Sequence, residues 1–214
     1  MGTGGSRILN LPKGVHYESD ILFDSNPVHG IIVIKTYRTD NDCVRWLNGH
    51  LAQYYDASKQ QPVAQHEFSA LKLLEPYGFV PKPLDLRPDS IVMEFAGSPV
   101  SPEAPIAIEV YLEHCRRIMD TFARLNFRHN DLLPSNVLVH EGKVKVIDFT
   151  LSEFGDIQTM RNLPNPDWAR PGQDSNILTY MSRRVEGRPG SLGRVLEPFR
   201  KLCLVLRGLG CCGD

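Results

Sequence analysis

The chain has 214 residues, of which 42% are hydrophobic, 23% charged and 8% aromatic, a balance that excludes a disordered or fibrous polypeptide. With 24 Lys and Arg against 25 Asp and Glu the net charge is −1, which argues against a general nucleic-acid binder, since such proteins are basic. The length allows one large domain or two small lobes sharing a core, and two lobes is the expectation.

The first thirty residues are rich in Gly, Pro and Asn, and alternation from Val15 to Phe23 predicts a strand, with a shorter one before it at Ile8 to Leu11. Ser25 to Gly30 reads as a loop. The β-branched run Ile31 to Ile34, ending in Lys35, predicts a strand buried on both sides. Residues 40–76 read as helical in two pieces broken near Ala57 to Pro62, with Phe68, Leu71, Leu73 and Leu74 on the apolar side of the second, which also carries Glu67. Pro81 and Pro83 close that segment, and Ile91 to Phe95 predicts another buried strand running into a Gly-Ser-Pro loop at 97–99.

The pattern then changes. Ile108, Tyr111, Leu112, Cys115, Ile118, Met119 and Phe122 recur at helical spacing, so a long amphipathic helix is expected from Pro105 to Phe127, and a helical second lobe begins near residue 98. Two short strands, Val137 to Val139 and Val144 to Ile147, are expected to form a hairpin through Glu141-Gly142. Beyond Asp148 the chain to about residue 180 is rich in Pro, Asn, Asp and Gly and reads as a long surface loop.

The segment that carries chemistry is His129-Asn130-Asp131-Leu132-Leu133-Pro134-Ser135-Asn136, followed by the hairpin that ends in Val146-Ile147-Asp148-Phe149-Thr150. An Asp, an Asn five residues on and an Asp at the end of the next strand can converge on one point. Such hard oxygen ligands suit Mg²⁺, which is bound through one or two carboxylates plus substrate phosphates. His129 reads as a brace for this loop rather than as a base or ligand.

These residues resemble the protein-kinase-like superfamily, whose catalytic loop runs H-R-D-x-x-x-x-N and whose metal-binding Asp opens a D-F-G. Upstream, Val33-Ile34-Lys35 resembles the strand lysine of the family's V-A-I-K, Glu67 resembles its helix partner, and Ile91-Val92-Met93-Glu94-Phe95 resembles the strand into the hinge. The resemblance covers about residues 8–155. It implies a two-lobed α+β kinase-like fold: residues 1–97 a nucleotide-binding first lobe, 98–214 a reduced second lobe with the catalytic loop, metal loop and a C-terminal helix. It also implies roles. Lys35 holds the α- and β-phosphates of ATP and pairs with Glu67; Asn136 and Asp148 hold Mg²⁺; Asp131 orients the acceptor hydroxyl; backbone groups of Glu94, Phe95 and Ala96 meet the adenine.

Departures from the family pattern shape the expectation. No G-x-G-x-x-G precedes Lys35, and its place holds Leu11-Pro12-Lys13-Gly14-Val15-His16, where Gly14 is the one glycine left to cover the nucleotide. Asn130 stands where regulated kinases have arginine, so control by a phosphate on the following loop is not expected. Leu133 replaces a lysine common in Ser/Thr kinases, and Thr150 replaces the glycine after Asp148-Phe149. Only 66 residues follow Asp148, and no A-P-E is visible. The expectation is a minimal, atypical protein kinase, or one truncated at its end, that phosphorylates protein hydroxyls, Ser or Thr before Tyr. The alternatives are a small-molecule phosphotransferase of the aminoglycoside or choline kinase type and a pseudokinase acting as a binding module.

Residues 190–209 read as an amphipathic helix with a basic side, in a tail (183–214) that carries seven Lys and Arg against three Asp and Glu. Its apolar face is expected to pack on the helix at 105–127; contact with an acidic surface or anionic lipid is the alternative. Gly2 with Ser6 fits an N-myristoylation pattern, and Cys211-Cys212 could accept palmitate. Five cysteines without C-x-x-C spacing, no signal peptide and no apolar run of 18 residues point to a reducing, cytoplasmic compartment. Leaderless export into a host cell stays open.

Overall fold

The computed structural model describes residues 19–99 and 106–159. The expectations for Ile8 to Leu11, Gly14, the loop beyond 159 and the helix at 190–209 lie outside the described residues. In chain order the elements are β1 (Ser19–Asn26), β2 (Gly30–Tyr37), α1 (Asp42–Leu51), α2 (Pro62–Leu74), β3 (Pro83–Leu86), β4 (Ser90–Glu94), β5 (Ser98–Pro99), α3 (Ile108–Arg124), β6 (Val137–His140) and β7 (Lys143–Val146). An antiparallel four-stranded sheet in the order β1-β2-β4-β3 forms the first lobe, and a three-stranded sheet β5-β6-β7 packs in the second with α3. This is the α+β, two-lobed architecture anticipated, with α3 the one α-helix of the second lobe among the described residues.

Local chemistry sets each boundary. Asn26 Oδ1 accepts the amides of Val28 and His29 at 2.9 and 3.0 Å, and Gly30 takes the left-handed φ of 68° that closes the β1–β2 turn. Asn41 caps α1 through Oδ1 to the Val44 amide at 3.1 Å. Asn48, one turn before the end of α1, accepts the Val63 amide at 3.0 Å and donates to Gln61 Oε1, so the first helix caps the second. Glu141 and Gly142 both have positive φ, as a two-residue hairpin turn requires.

Four expectations need correction. The strand at 31–35 is not buried throughout on both sides: on the face turned to α2 Lys35 and Tyr37 are buried, while on the opposite face Ile32 is buried but Ile34 and Thr36 are half-buried. Leu73 is exposed, since the buried stripe of α2 runs through Val63, Ala64, Glu67, Ala70, Leu71 and Leu74 and leaves Leu73 on the far side. Pro83 opens strand β3 rather than a loop, at the sheet edge where its missing N–H is tolerated. The 97–99 loop contains the short strand β5, which joins the crossover between lobes to β6.

That junction depends on one glycine. Gly97 has φ 98°, and a Cβ built on it would land on the Val139 carbonyl and lie 2.8 Å from His140 Cβ. Both backbone strain and overlap act against any side chain here. Gly97→Ala should therefore lower stability by about 3 kcal/mol, read as a shift of the urea midpoint at unchanged slope.

One core runs through both lobes, from Tyr37, Leu47 and Leu71 to Ile118, Phe122 and Phe149. The lobes are also tied by backbone: the Val146 amide donates to Phe79 O at 2.8 Å, and Lys145 Nζ to Gly78 O at 2.7 Å. The end of β7 is thereby fixed to the segment that follows α2, which brings the chemistry-bearing loops beneath the first sheet.

Candidate active site

Side chains alternate along a strand, so Val33, Lys35 and Tyr37 leave β2 on the face turned to α2. On that helix Glu67 occupies a place in the apolar stripe and is 1% exposed. A carboxylate buried so deeply needs partners, and it has two: Lys35 Nζ donates to Glu67 Oε2 at 2.7 Å and the Tyr37 hydroxyl donates to the same oxygen at 2.6 Å. Lys35 Nζ also donates to Asp148 Oδ1 at 2.8 Å. One buried ammonium thus links the sheet, the helix and the loop after β7.

The electrostatics follow from burial and pairing. Burial opposes the charge on Lys35, but Asp148 and Glu67 outweigh it and hold the ammonium above its ordinary pKa. Burial dominates at Glu67 and raises its carboxyl in spite of Lys35. Asp148 moves the other way: burial opposes its charge, but Lys35 and the Thr150 hydroxyl, 3.2 Å from Oδ1, bring it below the usual carboxylate range. Its side chain keeps 33% of its surface open, where a ligand can reach.

The loop from His129 to Asn136 is held from several sides. His129 is fully buried; its Nε2–H donates to Ile147 O at 3.0 Å and Nδ1 accepts the Asp131 amide at 3.3 Å, which is the bracing role expected of it. Asn130, at φ 65°, donates from Nδ2 to Leu151 O at 2.9 Å. Asn136 Nδ2 donates to Asp131 O at 2.8 Å and to Asp131 Oδ2 at 3.1 Å, while the Ile147 amide donates to Asn136 O at 3.0 Å. The last bond sets Asn136 beside the residue that precedes Asp148. Beneath the loop, Phe149 packs on His129 and Phe127 with ring centroids 4.7 and 5.8 Å apart.

The donor set fits a hard divalent cation. Both bonds of Asp148 use Oδ1, and among the described residues its Oδ2 carries none; Asn136 spends its Nδ2, and its Oδ1, in a residue 8% exposed, likewise carries none there. Two oxygens with unused lone pairs, one of them anionic, suit Mg²⁺, with the remaining ligands supplied by phosphates and water. Among the described residues no three His, Cys, Asp or Glu side chains cluster as a closed metal cage.

At the hinge, Glu94 donates its amide to Lys82 O at 3.0 Å and Phe95 to Ile31 O at 3.1 Å, so both amides belong to the sheet. Ala96 is the next residue and is 5% exposed. The Glu94 side chain pairs with His29 Nδ1 of the β1–β2 turn at 3.2 Å. Of the residues named from the sequence, Lys35, Glu67 and Asp148 meet directly, Asp131 and Asn136 meet each other beside them, and Glu94, Phe95 and Ala96 lie at the interlobe crossover.

Sequence reasoning missed Tyr37, Thr150 and the use made of Asn130. Tyr37 had a signal, since i and i+2 share a strand face with Lys35. Thr150 and Asn130 were visible only as departures from a pattern, and the structure gives each a hydrogen bond to the segment from Asp148 to Leu151.

A model of the RIO domain matches residues 26–153. No curated protein matches the chain. Among solved structures, the Rio2 kinase of Chaetomium thermophilum in complex with ADP, Mg²⁺ and phosphoaspartate is similar at a TM-score of 0.51 and 20% identity, over 86% of this chain. The match spans 59% of that kinase, and at this identity the likeness speaks for the fold. The family model covers more than half of the sequence and takes in Lys35, Glu67, Asp131, Asn136 and Asp148 together. The chain belongs to the RIO domain family, atypical protein kinases of the protein-kinase-like superfamily.

Proposed function

We propose that the protein is an Mg²⁺-ATP-dependent phosphotransferase that acts on protein hydroxyls, Ser or Thr before Tyr. The observation that carries this reading is the three-way contact in which Lys35 joins Glu67 and Asp148, formed beside a catalytic loop whose Asp131 is half-buried and reachable. Family membership supports ATP as the donor, and the ADP and Mg²⁺ held by the Rio2 relative support the same pair of ligands here.

In this reading Lys35, kept cationic and aimed by Glu67, holds the α- and β-phosphates. Asp148 and Asn136 hold Mg²⁺, which when bound neutralises charge on the phosphoryl group. Asp131 accepts a hydrogen bond from the acceptor hydroxyl and aligns it with the γ-phosphate. The amide of Ala96 and the carbonyl of Glu94 meet the adenine edge. Residues 1–97 then serve as the nucleotide lobe and residues 98–214 as the lobe that presents the acceptor. A pseudokinase role is disfavoured by the full set of ionisable groups, and a small-molecule acceptor would need an added acidic wall near Asp131. Among the described residues no helix is long and apolar enough to cross a membrane.

Incubation with γ-labelled ATP, Mg²⁺ and a protein lysate tests the reading. Acid-stable label on protein, absent in Asp131→Ala, is the result expected of a protein kinase; label confined to small molecules overturns the choice of acceptor. Hydroxylamine-labile label on the chain itself would mark an acyl phosphate, as in the phosphoaspartate of the Rio2 complex, and would overturn transfer to a protein hydroxyl. Asp148→Asn should weaken Mg²⁺-dependent nucleotide binding by at least about tenfold in calorimetry, with binding in EDTA unchanged.

A further inference from the structure

One buried, fully bonded side chain has no part in the site as described. His66 immediately precedes Glu67 on α2 and has no exposed surface. Its Nε2 lies 2.9 Å from Ser152 O and 3.2 Å from Ser152 Oγ, its Nδ1 lies 3.3 Å from the Tyr55 hydroxyl, and its ring stacks on Phe154 with centroids 5.1 Å apart and planes 13° from parallel. A neutral imidazole has one N–H and one lone-pair nitrogen. Nε2–H therefore donates to the Ser152 carbonyl, and Nδ1 accepts from Tyr55. Burial keeps the ring in that neutral form, with its pKa drawn down to about 4.

The partner of His66 is itself tied to the metal loop. Ser152 Oγ donates to Phe149 O at 2.7 Å and the Ser152 amide to the same oxygen at 3.1 Å, and Phe149 follows Asp148. A continuous set of hydrogen bonds therefore runs from α2 through His66 and Ser152 to the backbone next to Asp148. The two carboxylates that hold Lys35 sit at the two ends of this set, one residue beyond His66 and one residue before Phe149. Lys35 Nζ meets them at 2.7 and 2.8 Å, and it can do so only if helix and loop stay at one separation.

We infer that His66 is a positioning residue for phosphoryl transfer, locking α2 to the segment after Asp148 so that Glu67 and Asp148 keep Lys35 aimed at the nucleotide. The inference rests on the reading of Lys35, Glu67 and Asp148 as a phosphoryl-transfer site. Displacement of α2 would take from the buried His66 Nε2–H its 2.9 Å acceptor and leave the Ser152 carbonyl with the longer 3.4 Å contact from Thr159 Oγ1, so the helix has one favoured place. The hydrogen bonds are neutral, and the clamp is set by folding alone.

Two variants separate the clamp from simple packing. His66→Phe keeps a ring to stack on Phe154 and removes both hydrogen bonds; His66→Gln carries a donor and an acceptor on one amide and can reach Ser152 O and Tyr55. With saturating Mg²⁺-ATP, His66→Phe should lower kcat by about tenfold to a hundredfold with KM for ATP little changed, and His66→Gln should recover most of it. Placed on Glu67→Gln, His66→Phe should add little further loss, because both act through the aim of Lys35; fully multiplicative losses would overturn the inference. Hydrogen exchange needs no nucleotide: the amides of Glu153 and Ile157 and the middle of α2 should exchange about tenfold faster in His66→Phe than in the unaltered protein, with β1–β2 unchanged. Should His66→Phe fail to fold, Ser152→Ala, which removes only the hydroxyl link, should show the same pattern at smaller size. If the unaltered protein transfers no phosphoryl group, the functional reading falls and the exchange data alone judge the clamp; unchanged exchange overturns it.

Discussion

Asp131→Ala is expected to lower phosphoryl transfer by about a thousandfold while nucleotide affinity stays within about threefold. The loop does not need this carboxylate for its shape. Asn136 Nδ2 keeps its 2.8 Å bond to the Asp131 carbonyl when the side chain is gone, and His129 Nδ1 still accepts the residue's amide. In the proposed reading, what disappears is the carboxylate that aligns the incoming hydroxyl, along with the 3.1 Å contact from Asn136 to Oδ2. Losing an interaction made with the reacting group lowers kcat and kcat/KM together, whereas the proposed nucleotide contacts involve groups that remain. Single-turnover transfer beside calorimetric nucleotide binding separates the two. A variant that transfers at more than about a tenth of the normal rate would remove Asp131 from the proposed chemistry.

The parts of the site that could be read from the sequence share a property: their chemistry forces an unusual local pattern. A lysine that ends a β-branched run reads alone as a solvated terminus, and it becomes legible in order with a histidine, aspartate and asparagine at fixed spacing before a hairpin. Glu67 was legible through its place in a resemblance. By pattern alone a glutamate on an amphipathic helix reads as surface, and the structure puts it in the middle of the apolar stripe. His66 was hidden for the same reason and had no resemblance to reveal it. Its role depends on Ser152, 86 residues away, and contacts of that separation leave no periodic trace.

The fold was legible to a similar depth. Strong periodicity located β1, β2, α1, α2, β4, α3 and the β6–β7 hairpin, with ends shifted by a few residues. β3 escaped notice because Pro83, with Pro81 before it, reads as a breaker, although an edge strand tolerates a proline at its start, and β5 is too short to show alternation at all. Gly97 was read as loop composition. Its real constraint, a backbone carbonyl of β6 against its α-carbon, is tertiary.

Lys35→Met tests how the buried network is held together, and it gives a stability change with a predictable pH dependence. Methionine fills a similar volume but leaves Glu67 with only the Tyr37 hydroxyl in a site 1% exposed, and leaves Asp148 with Thr150. Removing one partner of a buried pair costs about 3–5 kcal/mol when the other stays charged. Glu67 has an escape: its pKa is already raised by burial, and without Lys35 it rises further, so the side chain can protonate instead. An acid whose folded pKa lies above its unfolded value favours the folded state below the unfolded value, and that contribution is lost as pH rises through the folded one. The deficit of Lys35→Met should therefore be smallest near pH 5 and approach about 3 kcal/mol by pH 8. Asp148, which Lys35 helps to hold below the ordinary 3.8 in the unaltered protein, loses that support as well; the stability it contributes is present above the unfolded pKa, so its loss enters the deficit at both pH 5 and pH 8 and the change between them reports Glu67. Urea unfolding at pH 5 and pH 8 measures both ends. A deficit that does not change between them would mean that Glu67 keeps its charge without the lysine, and that Tyr37 and solvent, not Lys35, hold the carboxylate in place.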